Sequence, residues 1–389
     1  MKLCDITQFY SPVSGGVKRY VHEKIAYLQD ATADEHILII PGAKTECIRG
    51  NRSRIYHVRS PLVSRASRYR VLLNLRALDE ILEEEQPDLI ESADPYQVGW
   101  KAVAAGDSLR IPVVGFYHSH FPEAYLRGAA NAFGGAGGRL MMNLAQAYVR
   151  KLYSRYQATL VPSERLADLL RHWGVMNVRN VHLGVNSDIF FPQPDDAVAT
   201  RAELGVPQHQ RLLLYVGRLA GEKNTQTLFR AFDLLRKTDP DGFCLLVIGD
   251  GPQRGELARL REQCAGVKWI PYCPDSATLA RYYRAADLFV HPGIQETFGL
   301  VAVESQACGT PVLGIRGSNM MIRHRQDFWA EANTPSALAE AITASGQFDL
   351  PGLGAAAARA MRHEFSWPSV FEKLFSIYRE VVSSYRSGS

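Results

Sequence analysis

The feature that most constrains the fold of this chain is a series of short apolar runs that alternate with amphipathic helical stretches, and this series occurs twice. The first series contains KLCDITQF, EHILII and PVVGFY, and the second begins with RLLLYVGR and CLLVIGDG. Strands and helices that alternate in this way build parallel sheets covered by helices. The sequence therefore predicts an α/β protein with two Rossmann-like domains, whose parallel sheets face each other across a ligand-binding cleft.

The domain boundaries are predicted from the place where the alternation lapses into a stretch rich in proline and acids. We expect a first domain at residues 1–186, a linker at 187–210 and a second domain at 211–365. A chain of 389 residues suits two such domains better than a single core. Residues 366–389 have the spacing of an amphipathic helix. We expect this helix to pack back on the first domain, although it could also close the second.

Hydrophobic residues make up 46% of the chain and charged residues 22%, as in globular proteins. The first residues lack the sustained apolar core of a signal peptide, and no later run is long and apolar enough to span a bilayer. These patterns predict a cytoplasmic protein that could associate peripherally with the inner face of the cell membrane.

The segment 44–76 contains nine basic residues and a single acid, Glu46. One interpretation is an ordinary solvated surface. The other is a surface for phosphorylated acceptors or for an anionic membrane, to which each basic residue adds about 1 kcal/mol of attraction. Nucleic acid is not an expected partner, because the basic residues do not alternate with stacking aromatic residues.

Two glycines, Gly15 and Gly16, stand at a predicted turn from strand to helix in SPVSGGVKRYV. Glycine lets the backbone approach a ligand closely, and the start of the following helix favours an anion. The motif is neither a dinucleotide fingerprint nor a Walker loop, because the required glycine and lysine spacing is absent. A simple turn is the alternative interpretation.

Two cations, Arg218 and Lys223, follow a predicted strand in YVGRLAGEKN. At the carboxyl edge of a parallel sheet they are suited to bind a diphosphate and to neutralise its charge as it departs. The alternative is a pair of solvated surface bases.

The stretch QETFGLVAVE places Glu296 before a predicted helix and Glu304 inside it. The backbone N–H groups of Phe298, Gly299 and Leu300 would stand at the helix start, where no carbonyl of the same helix accepts from them, and could hold phosphate oxygens. Glu304, a carboxylate among apolar residues, needs a polar partner such as a ribose diol. Alternatively, Glu296 caps the helix and Glu304 pairs with a base.

Taken together and in this order, the motifs resemble those of retaining glycosyltransferases of the GT-B fold, in the large family 4, whose members share an E-x7-E element. The resemblance covers nearly the whole chain. It rests on SPVSGGVKRYV, VHLGVNSDIFFP, YVGRLAGEKN, ETFGLVAVE and HEFSWPSVFEKLFSIYRE.

The resemblance implies roles for the residues already described on the donor side. Arg218 and Lys223 would bind the donor diphosphate, together with the glycine loop and the amides of residues 298–300. Glu304 would bind the ribose and Glu296 the donor sugar. The donor would be a UDP- or GDP-linked sugar that serves as substrate, with no cofactor and no metal.

The resemblance also implies a catalytic His118 beside the reaction centre, with Ser119 and His120 in contact with the acceptor. Transfer would retain the anomeric configuration. No side chain stands out as a nucleophile, which favours attack from the face that the diphosphate leaves, with the diphosphate accepting the proton of the hydroxyl. The expected acceptor is a lipid or a lipid-linked compound, and the alternatives are a small soluble acceptor or a growing glycan.

The chain departs from the family pattern in GIRGSNMMIRHRQDFWAEAN, where Met320, Met321 and Trp329 are unusual. This departure suggests a narrower or more apolar pocket. It also leaves open a nucleotide-sugar-binding protein with impaired catalysis, or an epimerase of the same fold.

Overall fold

The computed structural model describes residues 1–10, 16–63, 69–118, 134–323 and 328–388. The chain forms two compact units. Unit 1 comprises Met1–Leu183 and Trp367–Ser389, and unit 2 comprises Gly184–Ser366. Each unit has its own sheet and its own hydrophobic core.

Unit 1 contains an eight-stranded sheet with the order β3-β4-β2-β1-β5-β6-β7-β8. All neighbouring strands are parallel except β3 and β4, which form an antiparallel edge. The strands are β1 (Lys2–Ile6), β2 (Glu35–Gly42), β3 (Glu46–Arg49), β4 (Ser53–Arg59), β5 (Leu89–Ser92), β6 (Val113–Phe116), β7 (Ala158–Val161) and β8 (Val178–Asn180). The central strands are almost continuously apolar and buried, because helices cover a parallel sheet on both faces.

The helices of unit 1 present apolar faces to this sheet. Ile37 and Val113 of the strands share a core cluster with Leu78, Leu82 and Leu152 of the helices. The helices that precede unit 2 are α1 (Gly16–Ala31), α2 (Arg76–Glu85), α3 (Gln97–Leu109), α4 (Gly134–Tyr153) and α5 (Glu164–His172).

Unit 2 contains a fully parallel six-stranded sheet with the order β11-β10-β9-β12-β13-β14. The strands are β9 (Arg211–Val216), β10 (Phe243–Ile248), β11 (Val267–Ile270), β12 (Leu288–Val290), β13 (Val312–Ile315) and β14 (Trp329–Ala330). The helices are α6 (Pro194–Glu203), α7 (Thr225–Thr238), α8 (Arg254–Gln263), α9 (Ser276–Ala285), α10 (Leu300–Ala307), α11 (Pro335–Ala344) and α12 (Leu350–Glu364). The predicted α/β class with two Rossmann-like domains is therefore confirmed.

Each sheet has a switch point, the place where the order of successive strands reverses direction. In unit 2 the chain runs outward from β9 through β10 to β11, and then returns to the other side of β9 with β12. In unit 1 the equivalent reversal lies between β1 and β5. Loops diverge at such points and leave a crevice at the carboxyl ends of the strands, where ligands bind in open α/β sheets.

The segment predicted as a linker, residues 187–210, contains helix α6 and belongs to unit 2. Pro194 occupies the first turn of α6 and is followed by Asp195 and Asp196, which favour a helix start. Arg284 of α9 binds Asp196 at 2.6 Å and so attaches the helix to the unit. The proline and acids that suggested a linker are thus helix-start residues.

The last helix, α13 (Trp367–Gly388), belongs to unit 1. Its buried face packs against α1, where the ring of Tyr27 lies 5.4 Å from Phe371 and 5.7 Å from Phe375. The apolar residues of this helix are therefore part of the core of unit 1.

Candidate functional site

The switch point of unit 2 brings together residues from two loops that are distant in sequence. Lys223 ends a 3-10 turn, Gly221–Lys223, that follows β9, and Glu296 lies in the loop after β12. Lys223 Nζ donates to Glu296 Oε1 at 2.5 Å. Because β9 and β12 are neighbours in the sheet, their carboxyl ends hold these two side chains together.

A third residue, His291, completes this cluster. It follows β12 directly, is 1% exposed, and its Nε2 lies 3.4 Å from Glu296 Oε1. The Gly293 N–H donates to His291 Nδ1 at 3.1 Å. In the neutral ring the proton therefore lies on Nε2, the nitrogen that faces Glu296. Sequence reasoning did not assign His291 to the site, although its position at a strand end was the available signal.

Burial is the largest influence on the pKa of His291 and on that of Glu296. It lowers the pKa of His291 to about 4, because a charged imidazole is poorly solvated in the interior. Burial alone would raise the pKa of Glu296, but His291 and Lys223 outweigh it, so the pKa lies below the ordinary value. At neutral pH Glu296 is therefore a carboxylate and His291 a neutral imidazole.

Arg218, the second predicted phosphate ligand, lies two residues beyond β9. Its guanidinium is exposed and pairs with Glu222. The backbone carbonyl of Arg218 accepts a hydrogen bond from the hydroxyl of Tyr215 at 3.0 Å, which fixes the chain at this point. The side chain can therefore reorient toward an anion, while its backbone remains in place.

The helix start predicted to hold phosphate oxygens is present. Helix α10 begins at Leu300, and Gly299 caps it with a φ of 83°, a left-handed conformation that favours glycine. A Cβ at Gly299 would lie 2.9 Å from Met320 Cγ. The glycine is therefore required both by its backbone conformation and by the side chain packed against it.

Glu304 lies inside α10 and is 2% exposed. The hydroxyl of Tyr283 donates to Glu304 Oε2 at 3.1 Å. This contact supplies the polar partner that a carboxylate among apolar residues needs. Tyr283 itself is buried on α9, so the pair joins two helices of unit 2.

The unusual segment after β13 is held by Gln306 of α10. The Gln306 amide donates to the carbonyl of Met321 at 2.8 Å and accepts from the N–H of Arg323 at 2.7 Å. Met320 is buried beside Gly299, so an apolar side chain lies at the helix start. Residues 324–327 of this segment lie outside the described residues.

Close approach of two loops explains glycines that sequence reasoning did not assign. A Cβ at Gly249 would lie 1.9 Å from the carbonyl oxygen of Gly217, and one at Gly251 would lie 2.4 Å from that of Leu219. The loops after β9 and β10 are joined by the N–H of Leu219, which donates to the carbonyl of Asp250 at 3.0 Å. These glycines let the loop that carries Arg218 and Lys223 pack tightly against its neighbour.

In unit 1, α1 begins at Gly16, and His118 follows β6. The remaining predicted residues of this unit, Gly15, Ser119 and His120, lie outside the described residues. The predicted site residues are thus distributed over both units: His118 belongs to unit 1, and the Lys223–Glu296 cluster to unit 2.

His118 is held by aromatic rings. It stacks on Phe116 with ring centroids 3.8 Å apart, and the ring of Tyr20 meets it at 5.0 Å in an edge arrangement. Burial lowers the pKa of His118 to about 3, and the charge of Lys24 acts in the same direction. In the described part of the chain, no residue hydrogen-bonds to its Nε2. The Nε2 atom is thus a buried polar atom without a hydrogen-bond partner among the described residues.

The described residues contain neither a group of metal ligands nor a membrane-spanning helix. Across residues 1–10, 16–63, 69–118, 134–323 and 328–388, no three His, Cys, Asp or Glu side chains are grouped as metal ligands. Of the helices described, none is long and apolar enough to cross a bilayer.

Two sequence families match adjoining parts of the chain. The family described as "Glycosyltransferase Family 4" matches residues 14–189, and "Glycosyl transferases group 1" matches residues 197–345. The two matched ranges correspond closely to the first and second series of strands.

Curated relatives agree with these matches. The D-inositol 3-phosphate glycosyltransferase of Thermobispora bispora is 32% identical over 306 residues, which cover 74% of this chain and 68% of that protein. The GDP-mannose-dependent alpha-mannosyltransferase of Corynebacterium glutamicum is 28% identical over 326 residues, with coverage of 81% and 72%. Among the D-inositol 3-phosphate glycosyltransferases, the match spans from 50% to 68% of the relative's length.

The fold has also been seen in solved structures. The Anabaena protein HepE in complex with UDP-glucose has a TM-score of 0.73 and 16% identity, with coverage of 98% of this chain and 100% of that one. At this identity the likeness concerns the fold alone.

Proposed function

Because the chain belongs to glycosyltransferase family 4, we propose that it transfers a sugar from a nucleotide-sugar donor to an acceptor hydroxyl. The observation that carries the proposal is the Lys223–Glu296–His291 cluster at the switch point of unit 2. It combines a cation suited to a diphosphate with a carboxylate suited to sugar hydroxyls, at the edge where a parallel sheet binds ligands.

In this proposal unit 2 binds the donor. Lys223 and Arg218 take the diphosphate, the amides at the start of α10 take phosphate oxygens, Glu304 takes the ribose and Glu296 the sugar. Both cations pair with carboxylates in the free protein, Lys223 with Glu296 and Arg218 with Glu222. Donor binding would exchange these carboxylates for phosphate oxygens, which releases Glu296 for the sugar.

The proposed chemistry retains the anomeric configuration and uses no metal. The acceptor hydroxyl attacks the anomeric carbon on the face from which the diphosphate departs. As the bond from the anomeric carbon to the diphosphate oxygen breaks and the bond to the acceptor oxygen forms, the hydroxyl proton passes to the diphosphate. Lys223 and Arg218 stabilise the growing negative charge. His118 is the candidate residue for orienting a hydroxyl group.

The donor can be identified by its effect on thermal unfolding. A ligand at one hundred times its Kd stabilises the folded state by about 2.7 kcal/mol, which raises Tm by a few degrees. We expect either UDP or GDP sugars to give such a shift and the other nucleotide sugars to give little. No shift with any UDP, GDP or ADP sugar would contradict the proposal. A shift without turnover over a panel of acceptors would favour the binding protein with impaired catalysis.

For the acceptor, we propose a phosphorylated or lipid-linked compound, reached at an anionic membrane surface. Segment 44–76 combines its basic residues with four exposed apolar side chains, which are among the most exposed large hydrophobic residues described: Ile48 52%, Leu62 44%, Val63 69% and Leu73 63%. Exposed apolar side chains insert into a membrane interface, and nearby basic residues strengthen the binding because they are attracted to anionic lipids. The curated names of the relatives refer to D-inositol 3-phosphate, a phosphorylated compound, and to mannose transfer.

Vesicle sedimentation tests this surface. The protein is expected to sediment with vesicles of phosphatidylcholine and phosphatidylglycerol, but not with phosphatidylcholine alone, and high salt should release it. Val63→Asp with Leu73→Asp should weaken binding by about a hundredfold, because each inserted side chain contributes roughly 1.5 kcal/mol. Met176→Asp, at a residue 80% exposed outside the segment, is the matched control. Equal binding by both variants would exclude segment 44–76 as the contact.

A further inference from the structure

Unit 1 contains a buried cluster of charges that the chemistry proposed above does not use. Lys24 of α1 is fully buried, and Asp5 of β1 and Glu91 of β5 are 3% and 2% exposed. A buried ammonium is costly unless it is paired and hydrogen-bonded. The cluster therefore has to be well satisfied, and its geometry shows how.

The Lys24 ammonium has three oxygen partners on three different elements. Its Nζ lies 3.0 Å from Asp5 Oδ1, 3.0 Å from Glu91 Oε1 and 3.1 Å from the hydroxyl of Tyr378 on α13. His36 of β2 contacts the other oxygen of Asp5 at 2.7 Å, and the Tyr378 hydroxyl also donates to Glu91. The ammonium thus joins the first helix, the switch point of the sheet and the last helix.

Tyr20 connects this cluster to His118. The Lys24 ammonium lies 4.4 Å from the centre of the Tyr20 ring, in the range of a cation–π contact. The Tyr20 hydroxyl donates to Glu91 at 3.2 Å, and its ring meets His118 at 5.0 Å. Lys24, Tyr20 and His118 therefore form a continuous series of contacts in the core of unit 1.

We infer that Lys24 is a positioning residue for His118, on which it acts through the ring of Tyr20 and through its own positive charge. The catalytic significance of His118 rests on the proposed function, whereas the coupling between Lys24 and His118 does not. The ammonium holds Tyr20 against the imidazole, and its charge opposes protonation of that imidazole.

The surrounding charges fit this role. Burial, helped by the charge of Lys24 and opposed by that of Asp5, lowers the pKa of His118 to about 3. Burial also raises the pKa of Glu91 to about 7, against the effect of Lys24. Burial opposes ionisation of Asp5, but Lys24 and His36 lower its pKa to about 2. The ionisable groups of the cluster are Asp5, Tyr20, Lys24, His36, Glu91 and Tyr378.

The first test measures the titration of His118 by NMR. Lys24→Met alone would leave two buried carboxylates without a counter-charge, so it is combined with Glu91→Gln, which keeps the net charge of the cluster. We expect the pKa of His118 to rise by about 1 unit in the double variant. Glu91, with a pKa of about 7, is already protonated at the low pH where His118 titrates, so in that range the variant loses the positive charge of Lys24 and no negative charge. An unchanged titration would overturn the inference.

The second test substitutes Tyr20. These substitutions leave the charges of the cluster unchanged, so they give a result even if the double variant does not fold. Tyr20→Phe keeps the ring beside His118 and is expected to keep kcat, whereas Tyr20→Leu removes the ring and should lower kcat about tenfold with little change in the KM of the donor. Equal kcat in the two variants, with His118 shifts in the NMR spectrum also equal, would contradict a positioning role for Tyr20. If His118 titration responds as expected while kcat does not, it is the assignment of His118 to catalysis that fails.

Discussion

Glu296→Gln is expected to lower kcat by about a hundredfold or more while the protein remains folded, because it removes a preorganised carboxylate from the place where the sugar is proposed to react. Glutamine has nearly the same shape and can still accept a hydrogen bond from Lys223, so only the negative charge is lost. Steady-state transfer and circular dichroism provide the two measurements.

The same substitution should leave the affinity for UDP or GDP unchanged or make it tighter. In the free protein Glu296 Oε1 accepts a hydrogen bond from Lys223 Nζ at 2.5 Å, so the carboxylate competes with a diphosphate for the ammonium. Loss of the carboxylate removes that competitor. Titration calorimetry with the free nucleotide measures this effect, and it separates loss of chemistry from loss of binding.

Glu203→Gln is a suitable control for Glu296→Gln. Glu203 is an exposed carboxylate of the same unit, paired with Arg281 at 2.7 Å. The Glu203→Gln variant loses the same negative charge and should retain the wild-type kcat. Turnover near the wild-type value in Glu296→Gln would refute the assignment of the carboxylate to the donor sugar.

Lys223→Met is expected to weaken UDP or GDP binding by about tenfold to a hundredfold. A hydrogen bond to a charged group contributes roughly 1.5–3 kcal/mol, and methionine keeps the apolar part of the side chain without the charge. The dependence of the Kd on salt concentration should also become weaker, because one phosphate contact is lost. Calorimetry at two salt concentrations measures both effects.

Lys237→Met provides the matched control, since Lys237 is an exposed base of α7 that pairs with Asp233 at 2.7 Å. A double variant, Lys223→Met with Glu296→Gln, adds a further check. If Glu296 competes with the diphosphate for Lys223, the gain in affinity from Glu296→Gln should disappear when Lys223 is absent. Nucleotide affinity equal to wild type in Lys223→Met would remove this lysine from the phosphate site.

The sequence alone determined the class of the fold and the edge of each sheet where polar residues gather. Alternating apolar and amphipathic segments show which residues are buried in each strand and helix, so two parallel sheets were predictable. Residues that follow parallel strands lie at the same edge of the sheet. Arg218 and Lys223 were singled out in this way, whereas the role expected of Glu296 came from the family resemblance. The linker expectation shows the limit of local signals, because Pro194 with two following acids is typical of both a loop and a helix start.

Only the tertiary structure decided which side chains meet. Lys223 and Glu296 are 73 residues apart, and Lys24 and Tyr378 are 354 apart, so their contacts depend on strand order and on where the last helix packs. Periodicity does not encode that order. The pairing of Lys223 with Glu296, the contact of Lys24 with Tyr378 and the contact of Tyr20 with His118 follow from that order, because several crossovers bring distant segments together. The pairs Arg218–Glu222 and His291–Glu296, by contrast, are close in sequence.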